Sequence, residues 1–133
     1  MTIELPMPYY KDTGKALMSM NVYRNMNPYL LSKFKRDYGD LLSVVLKEYD
    51  LKKFKYLKAS YELRTEPTKK GKAKQVDMVN ILSMVDKVFM DILVKDGWLE
   101  DDTVEFVSYV KFTAKPYAEK TQIVVTLEEQ GNE

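Results

Sequence analysis

The sequence predicts an α+β domain in which two main helices cover one face of a small mixed β-sheet. Two stretches repeat their apolar residues at three- and four-residue steps, which is typical of amphipathic helices. Between and after them, segments alternate apolar and polar residues, which is typical of half-buried strands. The predicted order β-α-β-α-β-β places the helices on one face of the sheet. A chain of 133 residues is most simply one domain, spanning residues 1–133.

The first half of the chain predicts one strand and one long helix. Residues 2–7 form the expected strand, and residues 8–26 are expected to be irregular, with a turn at residues 11–14. Asn27 and Pro28 then mark the start of the helix. Asparagine is a good helix cap, and proline is tolerated at the first helical position.

The second half predicts a strand, a basic loop, a second helix and two more strands. Apolar and polar residues alternate over Leu57–Arg64, as in a half-buried strand. A basic loop is expected at residues 66–74 and a helix at about residues 80–95. The last two strands are predicted at residues 104–112 and 122–127, the former with its apolar residues on one face.

The composition removes several classes of catalytic chemistry. The chain has no cysteine and no histidine, which excludes thiol nucleophiles, serine–histidine pairs and cysteine- or histidine-based zinc sites. Any metal site must use oxygen ligands, which favours magnesium, with manganese as the alternative. Neither a P-loop nor a GxGxxG pattern occurs, so no nucleotide cofactor is expected. No apolar stretch approaches the ~20 residues of a membrane span, and we expect a cytoplasmic protein without a membrane partner.

Charge is distributed unevenly along the chain, although the net charge is only +1. Residues 52–74 contain nine cationic and two acidic residues, a net charge of +7. Residues 86–105 contain seven acidic residues and two lysines, a net charge of −5. A basic block beside an acidic block suits a phosphate-binding surface next to a metal site. The alternative is a solvated lysine-rich loop beside an ordinary charged helix face.

Acidic residues stand at both ends of the second predicted helix. Asp77 precedes it, either as a cap of the free amides or as a metal ligand near the positive helix end. Asp101 and Asp102 follow it, either in a solvated turn or in a metal site. The helix is ~24 Å long, and the return from Asp96 to Asp102 spans at most ~24 Å. Asp77 and Asp102 can therefore just converge within one chain, and a site shared by two subunits would relieve the constraint.

Three further residues are candidates for contact with nucleic acid. Lys87 lies on the polar side of the second helix, as either a phosphate-contacting cation or an ordinary exposed lysine. Asn21 and Tyr23 belong to a stretch that mixes hydrogen-bonding groups, an aromatic ring and a cation. Such a stretch suits contact with unstacked bases, and the alternative is a packed loop.

Four short motifs resemble the RusA family of Holliday-junction resolvases. They are V-D-x-x-N-I at residues 76–81, a lysine at Lys87, D-x-L-V-K-x-G at residues 91–97 and E-D-D at residues 100–102. Leu5-Pro6 and the stretch at residues 19–23 are similar to the family's opening L-P-x-P and S-x-N patterns, with extra residues between them. The resemblance spans most of the chain and is specific from Val76 to Asp102.

The resemblance implies a homodimeric, magnesium-dependent endonuclease of bacteria or their phages. Such an enzyme cleaves branched DNA, above all four-way junctions, in recombination and repair. The implied catalytic residues are Asp77, Asp102 and Lys87, and the implied metal ligands are Asp77, Asp102 and Asp101. The implied DNA contacts are the lysines before the first aspartate and three polar or aromatic residues: Lys69, Lys70, Lys72, Lys74, Asn21, Tyr23 and Asn80.

One position departs from the family's D-x-D-N motif, because Val79 stands where a second acid is expected. Water, Asp86, Asp101 or Glu62 would have to replace the missing carboxylate. Otherwise the chain is a weakened enzyme, or a DNA-binding or regulatory relative that no longer cuts. The remaining alternative is an interaction protein whose acids are only caps and turns.

Overall fold

The computed structural model describes residues 1–10 and 17–129. It contains a four-stranded sheet with helices on one face. Its elements are β1 (Thr2–Leu5), α1 (Met20–Asn25), α2 (Pro28–Lys47), β2 (Leu57–Arg64), α3 (Met78–Lys95), β3 (Val107–Lys115) and β4 (Gln122–Glu129). The strands lie in the order β1-β4-β2-β3. β2 runs parallel to β3 and antiparallel to β4, and β4 runs antiparallel to β1. The predicted α+β class and the mixed sheet are confirmed.

Burial alternates along the central strand β2 and shows which sheet face carries the helices. Leu57, Ala59, Tyr61 and Leu63 are buried, and the residues between them are half-buried. The buried set joins one apolar cluster with α2 and α3. The ring of Tyr61 packs edge-on against Phe89 of α3, with 6.2 Å between the ring centroids. Within the described residues, no helix is long and apolar enough to cross a membrane.

Local signals set the ends of the two long helices. The side chain of Asn27 accepts the backbone N–H of Tyr29 at 2.8 Å, and Pro28 occupies the first position of α2. Asp77 caps α3, which begins at residue 78, slightly earlier than predicted. Gly97 follows the end of α3 with φ of 84°, a conformation that glycine adopts without a Cβ clash.

The prediction that residues 8–26 are irregular is wrong for the segment that forms α1. Ser19 caps this six-residue helix by accepting the backbone N–H of Val22 at 3.3 Å. A helix of this length is too short to show an apolar period, so the sequence pattern does not reveal it. The turn predicted at residues 11–14 lies outside the described residues.

The third predicted strand is also displaced, because β3 begins at residue 107 rather than 104. The register shifts at Ser108, since Val107 pairs with Leu57 and Tyr109 pairs with Lys58. An extra residue of this kind resets the alternation of faces. Val104 lies before the first residue of β3, and its side chain is 96% exposed. The first and last strands in the chain differ only at their ends: β1 stops two residues earlier and β4 runs two residues further than predicted.

Candidate functional site

Asp77 lies at the exposed start of α3 and acts there as the helix cap. Its Oδ1 accepts the backbone N–H of Asn80 at 3.2 Å. The side chain of Asn80 in turn accepts the backbone N–H of Asn21 at 3.0 Å, which ties α1 to α3. The capping role of Asp77 is therefore confirmed, and its role as a catalytic metal ligand stays a prediction.

Asp86, in the middle of α3, is a half-buried carboxylate with a buried partner. The hydroxyl of Tyr61 donates a hydrogen bond to Oδ1 of Asp86 at 2.7 Å. Burial raises the pKa of Asp86, the Tyr61 hydrogen bond lowers it, and the negative charge of Asp102 raises it further, with a net upward shift. Burial combined with a second carboxylate disfavours the charged form, a situation often found at functional sites.

Asp102 lies in the exposed turn that leads into β3. Its backbone N–H donates to Oδ1 of Asp101 at 2.8 Å, so Asp101 shapes the turn. The negative charge of Asp102 is one of the causes that raise the pKa of Asp86. Asp86 follows Asp77 by nine residues, or ~13 Å along a helix. The structure therefore supports Asp86–Asp102 as the interacting acidic pair.

Val79, where the second acid was expected, shares a flank of α3 with Asp86. Val79, Ser83 and Asp86 follow one another at four- and three-residue steps, which aligns them on a helix surface about two turns long. Val79 is 55% exposed, so the position has room for a charged residue. Glu62 does not share this flank: it follows Tyr61 in β2 and points to the opposite sheet face, where it pairs with Arg64.

Lys87 is the exposed neighbour of Asp86 on α3. Its Nζ lies 6.0 Å from the centroid of the Tyr23 ring, within the range of a cation–π contact. Tyr23 itself is only 7% exposed. Its ring packs inside the protein, which argues against the predicted contact between Tyr23 and unstacked bases.

The lysine loop, residues 66–74, contains a hydrogen-bonded turn. The N–H of Thr68 donates to the carbonyl of Lys72, and the N–H of Gly71 donates to the carbonyl of Thr68, each at 2.8 Å. Gly71 adopts a φ of 75°, which favours glycine at this position. The four lysines of the loop are all exposed, as a phosphate-binding role requires: Lys69, Lys70, Lys72 and Lys74.

The oxygen donors around Asp86 suit a hard divalent cation. Residues 1–10 and 17–129 hold no group of three or more acids placed to bind a metal ion together. Magnesium, however, is commonly held by one or two carboxylates together with water and substrate phosphates. Carboxylate oxygens such as those of Asp86 and Asp102 are the ligand type that magnesium and manganese prefer, and the magnesium site stays a prediction.

From the sequence alone, Asp86 is one of several substitutes for the missing acid, and Tyr61 is not a candidate. A signal for the pair is nevertheless present. The alternation in β2 places Tyr61 on the buried face, and a buried tyrosine hydroxyl usually has a hydrogen-bond partner. A polar residue on the covering helix has to supply that partner, and Asp86 does so.

Comparison with known proteins does not assign the chain to a family. No family model matches it, and no curated protein matches it. The function therefore has to be inferred from the residues of the site.

Proposed function

We propose that this protein is a magnesium-dependent endonuclease that cleaves branched DNA, as the RusA-like motifs from Val76 to Asp102 imply. The observation that carries the proposal is the half-buried Asp86 carboxylate in the middle of α3, which accepts a hydrogen bond from the buried Tyr61 hydroxyl at 2.7 Å. Lys87 lies next to Asp86 in the chain, and the lysine loop precedes α3. Acids that hold a metal beside cations that hold phosphate are the parts that hydrolysis of a DNA backbone needs.

Asp86 and Asp102 would hold Mg²⁺, or Mn²⁺ in its place. When bound, the divalent cation would lower the pKa of a water molecule and would balance the negative charge of the scissile phosphate. Tyr61 holds Oδ1 of Asp86 through its hydrogen bond, so this carboxylate is presented in one orientation. Lys87 follows Asp86 in α3, and its exposed ammonium group would offset charge that develops on the phosphate.

The lysine loop would contact the DNA backbone. Its exposed ammonium groups can approach phosphates, and phosphate contacts position DNA without reading its sequence. Binding would therefore weaken steeply as the salt concentration rises. This is compatible with an enzyme that selects the shape of branched DNA.

A two-fold homodimer would suit a four-way junction, because two equivalent sites can nick symmetrically related strands. We assign its interface to an exposed apolar stripe on α2: Tyr29, Leu30, Leu41 and Val44. Lys33 and Asp37 lie between these residues, and both are exposed. Two antiparallel copies of α2 crossing near residue 35 would place each Lys33 opposite the partner subunit's Asp37. Leu41→Glu should therefore produce a monomer in sedimentation analysis, and an unchanged dimer would contradict this interface.

The second candidate function is binding of branched DNA without cleavage. It is favoured by Val79, which replaces an expected acid. In such a protein the lysine loop would still bind DNA, whereas Asp86 and Asp102 would have lost their catalytic purpose.

A cleavage assay on a four-way junction separates the two candidates. The natural chain and Val79→Asp are compared with Mg²⁺ at low salt, with Asp102→Asn as the inactive control. We expect magnesium-dependent nicking by the natural chain and a rate within a few-fold of it for Val79→Asp, because residue 79 lies seven residues, or ~10 Å, from Asp86 along α3. Junction binding without nicking by either protein would favour the non-cutting relative. If neither protein binds the junction, both candidates are wrong.

A further inference from the structure

The sheet face opposite the helices presents a row of cations on β2 and β3. The register of these parallel strands pairs Lys58 with Tyr109, Ser60 with Lys111, Glu62 with Thr113 and Arg64 with Lys115. These residues alternate with the buried set of β2, so their side chains point away from α2 and α3. The β3 members are exposed or half-buried.

Charge on this face is divided between its two halves. The acids of the β1–β4 half are Glu4, which pairs with Lys120, and Glu128, which lies opposite Lys58. On the β2–β3 half, the acid is Glu62, and it pairs with Arg64. Within the described part of the chain, no ion pair involves the other cations of that half: Lys58, Lys111 and Lys115.

The register places Arg64 directly opposite Lys115. Arg64 pairs with Glu62, whereas no ion pair of the described residues offsets the charges of Lys111 and Lys115. A polyanion lying along β3 would offset both of these charges. Lys111 and Lys115 are four residues apart on an edge strand, or ~13 Å, which lets them contact phosphates several nucleotides apart. Tyr109 lies opposite Lys58 on the same face. Its side chain is 44% exposed, so its ring can receive an unstacked base.

The cationic face and the acidic pair lie on opposite sides of the sheet at the same edge. Asp86 contacts Tyr61 on the helix side and Asp102 lies in the turn before β3, whereas Lys111 and Lys115 of β3 face the other side. β3 is the edge strand of the sheet among the described residues. The backbone N–H of Thr65, from which the chain continues into the lysine loop, donates to the carbonyl of Lys115 at 3.0 Å. The lysine loop and the cationic face are therefore joined at this end of β3.

We infer that the open face of β2 and β3 is a second nucleic-acid contact surface, which holds one arm of a branched DNA. The strand to be cut would then lie across Asp86 and Asp102 on the other side of β3. This inference rests on the proposed function. The second surface would explain why the protein prefers branched DNA to a linear duplex, because a linear duplex cannot occupy both sides of the edge strand at once.

Binding of a four-way junction and of a linear duplex built from one of its arms tests the inference. Fluorescence anisotropy is measured at several salt concentrations for the natural chain, for Lys111→Gln/Lys115→Gln and for the control Lys35→Gln/Lys47→Gln, whose lysines are exposed on α2. We expect the β3 variant to bind the junction about tenfold more weakly, with a salt slope lower by about two. Its affinity for the duplex and the binding by the control should not change.

The outcomes separate failure of this inference from failure of the proposed function. If the natural chain binds neither DNA, the proposed function itself is wrong. If it binds the junction and the β3 variant binds equally well, the second surface is wrong and the proposed function stands. Equal weakening on junction and duplex would also overturn the assignment of a separate arm to this face. A thermal melt should show that the β3 variant is as stable as the natural chain, because both lysines are exposed and no ion pair of the described residues involves them.

Discussion

The start and the middle of α3 each present an aspartate, and the two carboxylates lie in opposite environments. Asp77 is exposed and accepts a backbone amide at the first turn of the helix, where negative charge is stabilised. Asp86 is half-buried, and its charged form is disfavoured by burial and by Asp102.

Asp77 therefore stabilises the fold, whereas the charged form of Asp86 destabilises it. A capping aspartate contributes stability through its charge. An aspartate with a raised pKa costs stability at neutral pH, and groups perturbed in this way cluster at functional sites. The family resemblance places the first catalytic acid at Asp77, whereas the environments favour Asp86. The following predictions test this contrast.

The largest expected change in stability comes from the partner of Asp86. Tyr61→Phe removes the hydroxyl that donates to Oδ1. Since the acceptor is a carboxylate, the free energy of unfolding should fall by about 1.5–3 kcal/mol, as measured by urea denaturation. Tyr109→Phe, which alters an exposed tyrosine, is the matched control. Equal stability of the two variants would show that the Tyr61–Asp86 bond contributes nothing.

A smaller effect is expected at the start of the helix. Asp77→Ala removes the cap and should lower the free energy of unfolding by about 1 kcal/mol. Asp77→Asn should leave stability nearly unchanged, because asparagine caps as well as aspartate. Thermal melts of both variants measure the difference. If Asp77→Asn destabilises as much as Asp77→Ala, the charge of Asp77 has a role beyond capping.

The smallest effect is a pH dependence that Asp86 alone should produce. Its raised pKa in the folded state means that the native protein binds more protons than the unfolded chain between the ordinary pKa of aspartate, ~3.9, and the raised value. Its contribution to stability therefore falls as the pH rises through this window. The melting temperature of Asp86→Asn relative to the natural chain should increase from pH 4 to pH 7. A difference that stays constant over this range would contradict the raised pKa.

The parts of the fold that local signals encode are the parts that the sequence predicts. Asn27 and Pro28 mark the start of α2, and Gly97 follows the end of α3, because caps and stops depend on residues adjacent in sequence. The helix α1 and the register shift at Ser108 are missed. The first is too short to show a period, and the second depends on pairing with β2, which no local pattern records.

In the candidate site, too, local patterns are predicted from the sequence and tertiary contacts are not. Asp102 and Lys87 are identified from motif spacing, and their catalytic roles stay predictions. Asp86 is identified only as a substitute, because its environment is created by Tyr61, 25 residues away, and by Asp102 across the turn. Burial and charge coupling arise from tertiary contacts, so spacing along the chain could not rank Asp86 above Asp77.

The central claim is that the working acid is in the middle of α3 rather than at its start. Its most direct test is magnesium-dependent nicking of a four-way junction by Asp86→Asn and Asp77→Asn side by side, with Asp50→Asn, an exposed acid in the loop between α2 and β2, as the control. We expect Asp86→Asn to lose about 100-fold in rate while still binding the junction, and Asp77→Asn to stay within a few-fold of the control. Loss of nicking in Asp77→Asn with full activity in Asp86→Asn would contradict the claim.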